Sequence, residues 1–401
     1  MILMTAEPEK NPYRPGVGTK PRYLAGRATQ VRRFGSLLRA APEQPANMRL
    51  TGLRGVGKTS LLQEFEERAQ EEGWVAPMLE LEPGHNTNAT LEKAISMRLQ
   101  RSRERISVGA KVRKAVGSTA RYAAKGINVG YQDLSFSFSP GAVSKELPRE
   151  LFDTVDLALK KGHKGVILLL DEAQVIRDET KSSGEHPLSM LISSVSVMQQ
   201  KEIPVGLVLC GLPTLGVNLL RARSYTERMF RAEKIGSLKE GDAREAFARP
   251  LVGSSISAEE DLIQRVVEEV EGYPYFIQMW GAELWEAARE NTIKTMNAKL
   301  LDPLQESIYD RLDGEFYDQR VESLTPAEEE VLMASTECSY PPLKVSEFKE
   351  SVNKTPGNIN VLLGRLVEVG VLYRSRKGEY KYTAPKFREY LIRRKKRASE
   401  G

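Results

Sequence analysis

Eight consecutive residues constrain this chain more than any others: Gly52-Leu53-Arg54-Gly55-Val56-Gly57-Lys58-Thr59. They follow a short strand, Met48-Arg49-Leu50-Thr51, and open a helical pattern that runs to about Glu72 and stops at Gly73. Strand, glycine-rich loop and helix in that order are half of a parallel α/β unit. The glycines let backbone N–H groups turn inward around phosphate oxygens, and the helix start adds its positive dipole end. In such a loop the lysine, here Lys58, reaches the β- and γ-phosphates, and the hydroxyl of Thr59 ligates Mg²⁺. ATP and Mg²⁺ are the expected ligands, held by Gly52, Gly55, Val56, Gly57, Lys58, Thr59 and Ser60.

A second motif lies about 110 residues further on: Val166-Ile167-Leu168-Leu169-Leu170-Asp171-Glu172. The apolar run is a strand buried on both faces. The two acids at its end have separate expected roles. Asp171 holds Mg²⁺ through water, and Glu172 polarises the attacking water as general base. With Lys58, Glu172 makes up the expected catalytic pair within the chain.

The remaining composition mostly excludes. The 401 residues suggest two or three domains. The two cysteines, Cys210 and Cys338, and the three histidines, His85, His163 and His186, are scattered, so no metal-ligand cluster is visible and a reducing cytoplasm is expected. No segment approaches the ~18 apolar residues of a membrane helix. Met1-Ile2-Leu3-Met4 is too short for a signal-peptide core, with acids following at Glu7 and Glu9. There is no Gly-x-Ser-x-Gly elbow, the methionines are dispersed, and Trp74, Trp280 and Trp285 read as packing anchors. The net charge of +5 is uneven. Arg101, Arg103, Arg105, Lys111, Arg113, Lys114, Arg121 and Lys125 face only Glu104, the last fifty or so residues are basic, and the stretch from about 255 to 290 is acidic. Such clusters fit either a polyanion partner or a solvated face.

Along the chain, residues 1–20 carry Pro8, Pro12, Pro15, Gly16 and Gly18 and read as an extended arm without a core. Helical patterns fall at about 28–40, 89–103, 147–161 and 188–200, and strands at Val75 to Leu81 and Val205 to Cys210. Residues 126–139 alternate as a strand or hairpin would. From about 240 to 320 only helical patterns occur, at 241–250, 258–271, 274–290 and 297–319. Helices at about 325–335, 345–352 and 356–369 then precede two short strands around Lys377-Gly378. Strands alternating with helices predict an α/β domain with a parallel sheet.

The two motifs together resemble the AAA+ and STAND branch of P-loop ATPases, nearest the initiator-like, origin-recognition group, over roughly residues 20–395. The resemblance implies a P-loop ATPase core at 21–238, a helical lid and linker at 239–322, and a C-terminal winged helix-turn-helix with a basic tail at 323–401. Leu24-Ala25-Gly26-Arg27 resembles the box against the adenine, which adds Gly26 and Arg27 to the nucleotide contacts. Val208 to Thr214 resembles the strand that carries a polar sensor near the γ-phosphate. Here that strand ends in Cys210-Gly211, and Thr214 is the nearest candidate. Arg221 to Arg231 stands where the class places an arginine finger that enters a neighbouring subunit's site. Arg228 is the first choice and Arg231 the second, against a surface helix with salt bridges. Gly272-Tyr273-Pro274 stands where the class places a second sensor arginine at the lid; none is there, so either that arginine has been lost or the nucleotide is read through Tyr273 and the backbone.

Thr355-Pro356 starts, and Gly370 ends, the helix that the resemblance makes a recognition helix, with Asn358, Asn360 and Arg365 as its polar candidates. The following hairpin is the wing, bearing Arg374, Arg376, Lys377 and Lys381, and Lys386, Arg388 and Arg393 to Arg397 extend the basic surface. The expected activity is ATP hydrolysis by a homo-oligomer with shared sites that acts on double-stranded DNA. Two alternatives stay open: a signalling ATPase whose winged helix holds the lid closed, and a transcription regulator in which ATP tunes DNA affinity.

Overall fold

The computed structural model describes residues 9–16, 18–108, 146–180, 184–222, 226–348 and 352–400. The hairpin expected at 126–139, the basic residues Lys111, Arg113, Lys114, Arg121 and Lys125, and residues 349–351 of the helix expected at 345–352 lie outside the described residues. The chain divides into a sheet unit, Arg27–Gly52 with Lys58–Ile235, and a helical unit, Met1–Gly26 with Leu53–Gly57 and Gly236–Gly401.

The sheet unit holds five parallel strands: β1 (Asn47–Gly52), β2 (Met78–Glu80), β3 (Val166–Asp171), β4 (Val205–Gly211) and β5 (Arg231–Ile235), in the order β2-β3-β4-β1-β5. Every residue of β3 and β4 is buried, as their unbroken apolar runs require of central strands covered on both faces. Helices α1 (Ala28–Ala40) and α2 (Lys58–Glu71) pack together through stacked Phe34 and Phe65, with ring centroids 4.2 Å apart. Helices α3 (Asn88–Val108), α4 (Glu146–Lys160) and α5 (Pro187–Gln200) share an apolar cluster with β3 and β4. Short α6 (Thr214–Ala222) and α7 (Thr226–Met229) lead into β5.

β5 has no counterpart in the sequence reading. Its residues are mostly charged, because an edge strand covers only alternate side chains. Buried Glu233 is neutralised there by Arg33 at 2.9 Å and Arg231 at 3.5 Å.

In the helical unit, α8 (Glu240–Ala248), α9 (Glu260–Val270), α10 (Pro274–Glu290) and α11 (Ala298–Leu312) follow the expected helical patterns. The all-helical expectation for 240–320 needs one correction. Ser257–Ala258 (β6) and Thr295–Met296 (β7) form a two-residue parallel pair. A π-helical stretch, Asp313–Asp318, joins α11 to α12 (Gln319–Glu322).

There follow α13 (Pro326–Ala334), β8 (Leu343–Lys344), α14 (Pro356–Glu368), β9 (Leu372–Arg376), β10 (Glu379–Tyr382) and α15 (Phe387–Glu400). The three strands make an antiparallel sheet, β8-β10-β9. Thr325 and Glu328 form a capping box at α13, and Thr355 caps α14 with Pro356 in its first turn. One continuous apolar cluster runs from Leu238 to Leu391, so residues 239–322 and 323–401 share a core.

Of the extended arm expected at 1–20, residues 9–16 and 18–20 are described, and Tyr13 anchors them in that core. Tyr13 is buried, its hydroxyl donates to the Phe247 carbonyl at 2.7 Å, and its ring lies 5.5 Å from that of Phe247. A β-carbon on Gly281 would overlap the Tyr13 ring, so the helix leaves the space that the arm fills. Tyr13→Ala should therefore cost about 3–5 kcal/mol in urea unfolding followed by tryptophan fluorescence, as for other buried aromatic truncations. A loss below about 1 kcal/mol would mean that the arm is not part of the core.

Candidate functional site

Parallel strands joined by helical crossovers end at one edge of the sheet, and the chemistry collects there. Register sets the neighbours: Glu80 lies opposite Asp171, and Thr51 opposite Gly211. In the sheet unit Thr59, in the first turn of α2, donates its hydroxyl to Asp171 Oδ2 at 2.6 Å. Asp171 is 1% exposed, and its Oδ1 accepts from the Glu172 N–H at 2.9 Å. Lys58 is buried at the start of the same helix, followed by Ser60. Lys58, Thr59, Asp171 and Glu172, which the sequence reading assigns to one site, are thus brought to one strand edge. A hydroxyl and a carboxylate as donor set suit Mg²⁺, which takes hard oxygen ligands.

Glu172 leaves β3 in the left-handed region, with φ 51°, and a 3₁₀ turn, Ala173–Val175, follows it. Gln174 in that turn was missed in the sequence. Its Nε2 donates to Glu172 Oε2 at 2.5 Å, and its Oε1 accepts from the Leu212 N–H at 2.9 Å. Asn218 donates to the Gln174 carbonyl at 3.0 Å. At the end of β4, the Cys210 thiol is pushed well above its ordinary value by burial and then by Asp171, so it remains neutral. Partial burial, then Asp171 and Glu172, also raise the carboxyl of Glu80. Thr214, the sensor candidate, stands at the first position of α6.

The loop residues Leu53–Gly57 make their contacts within the helical unit. Gly55 and Gly57 have φ of 77° and 81°, a left-handed backbone that explains both glycines. The Tyr275 N–H donates to the Gly55 carbonyl at 3.2 Å, and the Arg54 N–H to the Thr383 carbonyl at 3.1 Å. Tyr275 stacks on Phe316, and Arg320 lies 4.6 Å over the Phe316 ring. Burial, then the neighbouring Arg54, pull Arg320 down to about 10. At Gly272-Tyr273-Pro274, Tyr273 precedes the first turn of α10 and Pro274 begins it. Gly26, with φ 66°, fits against Leu238 and Asp242, and Arg27 is buried.

Of the expected fingers, Arg228 is exposed in α7, whereas Arg231 lies in β5 and pairs with Glu233. Asn358, Asn360 and Arg365 are exposed on α14, and Arg374, Arg376 and Lys377 on the β9–β10 hairpin. Arg374 is engaged with Tyr380, donating to its hydroxyl at 2.8 Å.

The basic tail needs correcting as a free surface. Lys386 pairs with Glu269 and Glu271, Arg388 donates to the Thr336 and Cys338 carbonyls, and Arg393 pairs with buried Asp313. Arg394 pairs with Asp318 and Glu329, Lys395 with Glu337, and Arg397 with Asp310. These acids lie far from the tail in sequence, so a count of basic residues overstates the charge offered to a partner. Arg103, in the other basic stretch, pairs with Glu150 at 2.5 Å.

Comparison with known proteins agrees with this fold. Residues 23–202 match the family model described as AAA ATPase domain, and residues 314–391 match a domain of unknown function. Over residues 23–202 the chain is thus similar to AAA ATPase domains, a likeness that implies nucleotide binding. An uncharacterized HTH-type transcriptional regulator of Methanocaldococcus jannaschii is 22% identical over 390 residues, covering 92% of this chain and 89% of its own. Among solved structures, the Walker-type ATPase of Pyrococcus abyssi superposes with a TM-score of 0.56 at 18% identity, covering 94% of this chain and 98% of that one. The Orc2 protein of Aeropyrum pernix, in its ADPNP–ADP complexes, does so with 0.55 at 12% identity, covering 96% and 97%. The likeness is one of fold: an α/β P-loop ATPase. Among the described residues, no helix is long and apolar enough to cross a membrane.

Gly55→Ala tests the loop geometry. A β-carbon at positive φ costs roughly 1–2 kcal/mol, and this one would meet the Tyr275 side chain at 3.4 Å. Nucleotide-induced thermal stabilisation should disappear in this variant, and its persistence would mean that the loop adopts another conformation when occupied.

Proposed function

We propose that the chain is a switch that binds ATP with Mg²⁺, hydrolyses it slowly and acts on DNA. The observation that carries the reading is the 2.6 Å bond from the Thr59 hydroxyl to Asp171, with Glu172 the next residue along. The backbone N–H groups of the loop, including those of Gly55, Val56, Gly57 and Ser60, cradle the phosphates, Gly52 leads the strand into the loop, and Lys58 reaches the β- and γ-phosphates. Thr59 directly, and Asp171 through water, would hold Mg²⁺, which when bound neutralises charge on the phosphate oxygens. Glu172 takes the proton of the attacking water as general base. Gly26 and Arg27 lie against the adenine, and exposed Arg228 enters the site of a neighbouring copy in a homo-oligomer.

The DNA part of the reading rests on the C-terminal elements. Helix, short strand, capped helix and hairpin follow one another as in a winged helix-turn-helix. Asn358, Asn360 and Arg365 are exposed on its recognition helix, and Arg374, Arg376 and Lys377 on its wing. The distant relative's description as an HTH-type regulator is in keeping with this. Phosphate contacts from the wing position the module, and the asparagines face base edges.

A specific observation favours a second reading, a signalling ATPase. Arg54 and Gly55 of the loop bond Thr383 and Tyr275, so one C-terminal residue and one from the first turn of α10 grip the loop itself. In that reading a protein partner releases the grip.

Two experiments decide. Glu172→Gln should lower kcat by about 10²- to 10⁴-fold while ATP binding persists, measured by phosphate release and by equilibrium titration; unchanged turnover would remove Glu172 as the base. Duplex DNA binding with ATP and Mg²⁺, followed by fluorescence anisotropy, should weaken steeply between about 50 and 200 mM salt, and Arg376→Ala with Lys377→Ala should lower the log–log slope by about 0.9 for each phosphate no longer neutralised. No binding to any duplex in the presence of ATP would sink the DNA reading and leave the signalling one.

A further inference from the structure

The end of β4 poses a chemical question. The strand lies between β3, which ends in the acid pair, and β1, which leads into the glycine-rich loop. A polar side chain there would stand beside the acid pair, yet the chain has Cys210, a buried thiol, and Gly211, which has no side chain.

Gly211 does not owe its identity to backbone conformation, because it is not among the positive-φ glycines. It owes it to space. A β-carbon at 211 would overlap Gln174 Oε1 and come within 3.1 Å of the Gln174 backbone nitrogen. The room that a side chain from β4 would take is filled by the Gln174 amide. That amide uses both of its ends. The oxygen accepts from the Leu212 N–H at the strand end, and the nitrogen donates to Glu172. Asn218 bonds the carbonyls of Gln174 and Ile176 and so holds the turn from which the side chain projects.

We infer that Gln174 is a positioning residue that replaces the missing polar side chain of β4, tying the carboxylate of Glu172 to the end of that strand. The inference rests on the proposed ATP hydrolysis. In that step the water oxygen bonds to the γ-phosphorus as the bond to the β,γ-bridging oxygen breaks, ADP leaves, and the water proton passes to Glu172. A glutamate bonded through one oxygen to a fixed amide keeps the other free to accept that proton along a set direction. Without the amide, the Glu172 side chain has its full rotamer freedom.

The test is a reciprocal pair of substitutions in the full chain, read as ATP turnover with the ATP dissociation constant measured separately. Gln174→Ala should lower kcat about a hundredfold, the scale of losing one preorganised polar group, with the dissociation constant moving less than about threefold. Gly211→Asn alone should lower kcat as well, since the new side chain collides with the Gln174 amide. Combined, the two substitutions should recover at least about tenfold over Gln174→Ala, because the amide is then supplied from β4. A purely structural role for Gln174 would not give this recovery.

Should Gln174→Ala fail to fold by circular dichroism, Gln174→Met serves instead, keeping the length of the side chain without its amide; kcat should again fall about a hundredfold, and a fall of less than about threefold would overturn the inference. If Glu172→Gln abolishes turnover while Gln174→Ala stays within about threefold of the parent, or if the double variant shows no recovery, this inference falls and the ATPase reading stands. A parent chain that turns over no ATP, or whose turnover survives Glu172→Gln, overturns that reading and this inference with it.

Discussion

Strands that all run the same way must be joined by crossings outside the sheet, so their carboxyl ends collect at one edge. The rest of the sheet unit depends on that constraint. β3 and β4 are buried over their whole length, and exposure begins only with residues that follow them, such as Glu172. Polar chemistry has one place to surface, and Thr59, Asp171, Glu172, Gln174 and Glu80 all stand there. The Thr59–Asp171 bond closes the arrangement by joining the first turn of α2 to the last residue of β3. Burial first, and the carboxylate of Asp171 second, raise the Glu80 carboxyl and the Cys210 thiol there.

What the sequence made legible is local. The glycine-rich loop needs eight adjacent residues, and an apolar run ending in two acids needs seven. Both signals survive translation into three dimensions because chain neighbours remain spatial neighbours. Helix caps such as Thr355-Pro356 are legible for the same reason. β5 was not, because an edge strand hides only every second residue and its charges hide the pattern. Gln174 was not, because its meaning depends on an empty position at Gly211 on another strand. The one available signal was the absence of a polar residue at the end of β4, and by itself that absence does not name its replacement.

The helical unit repeats the lesson with charge and with packing. Arginines of α15 read as an open basic surface when counted along the chain, but they meet carboxylates from α11, the π-helical stretch and α13. Asp313 is 1% exposed and would be an isolated buried charge without Arg393. These arginines serve the interior of the module first, whatever the hairpin offers a partner. Tyr13 tells the same story: an arm rich in proline and glycine gives no hint that a helix far along the chain has left a gap for its ring.

The occupancy at the end of β4 has a consequence in descent. The space admits one amide, reached either from the turn after β3 or from β4 itself. A lineage passing from one arrangement to the other by single substitutions would meet either two groups competing for the space or none filling it. Each arrangement is therefore an evolutionary trap of its own, and within relatives that keep this backbone, residues 174 and 211 should change together or not at all. A glycine that looks like a lost sensor would then mark an ancient choice between two routes to one contact.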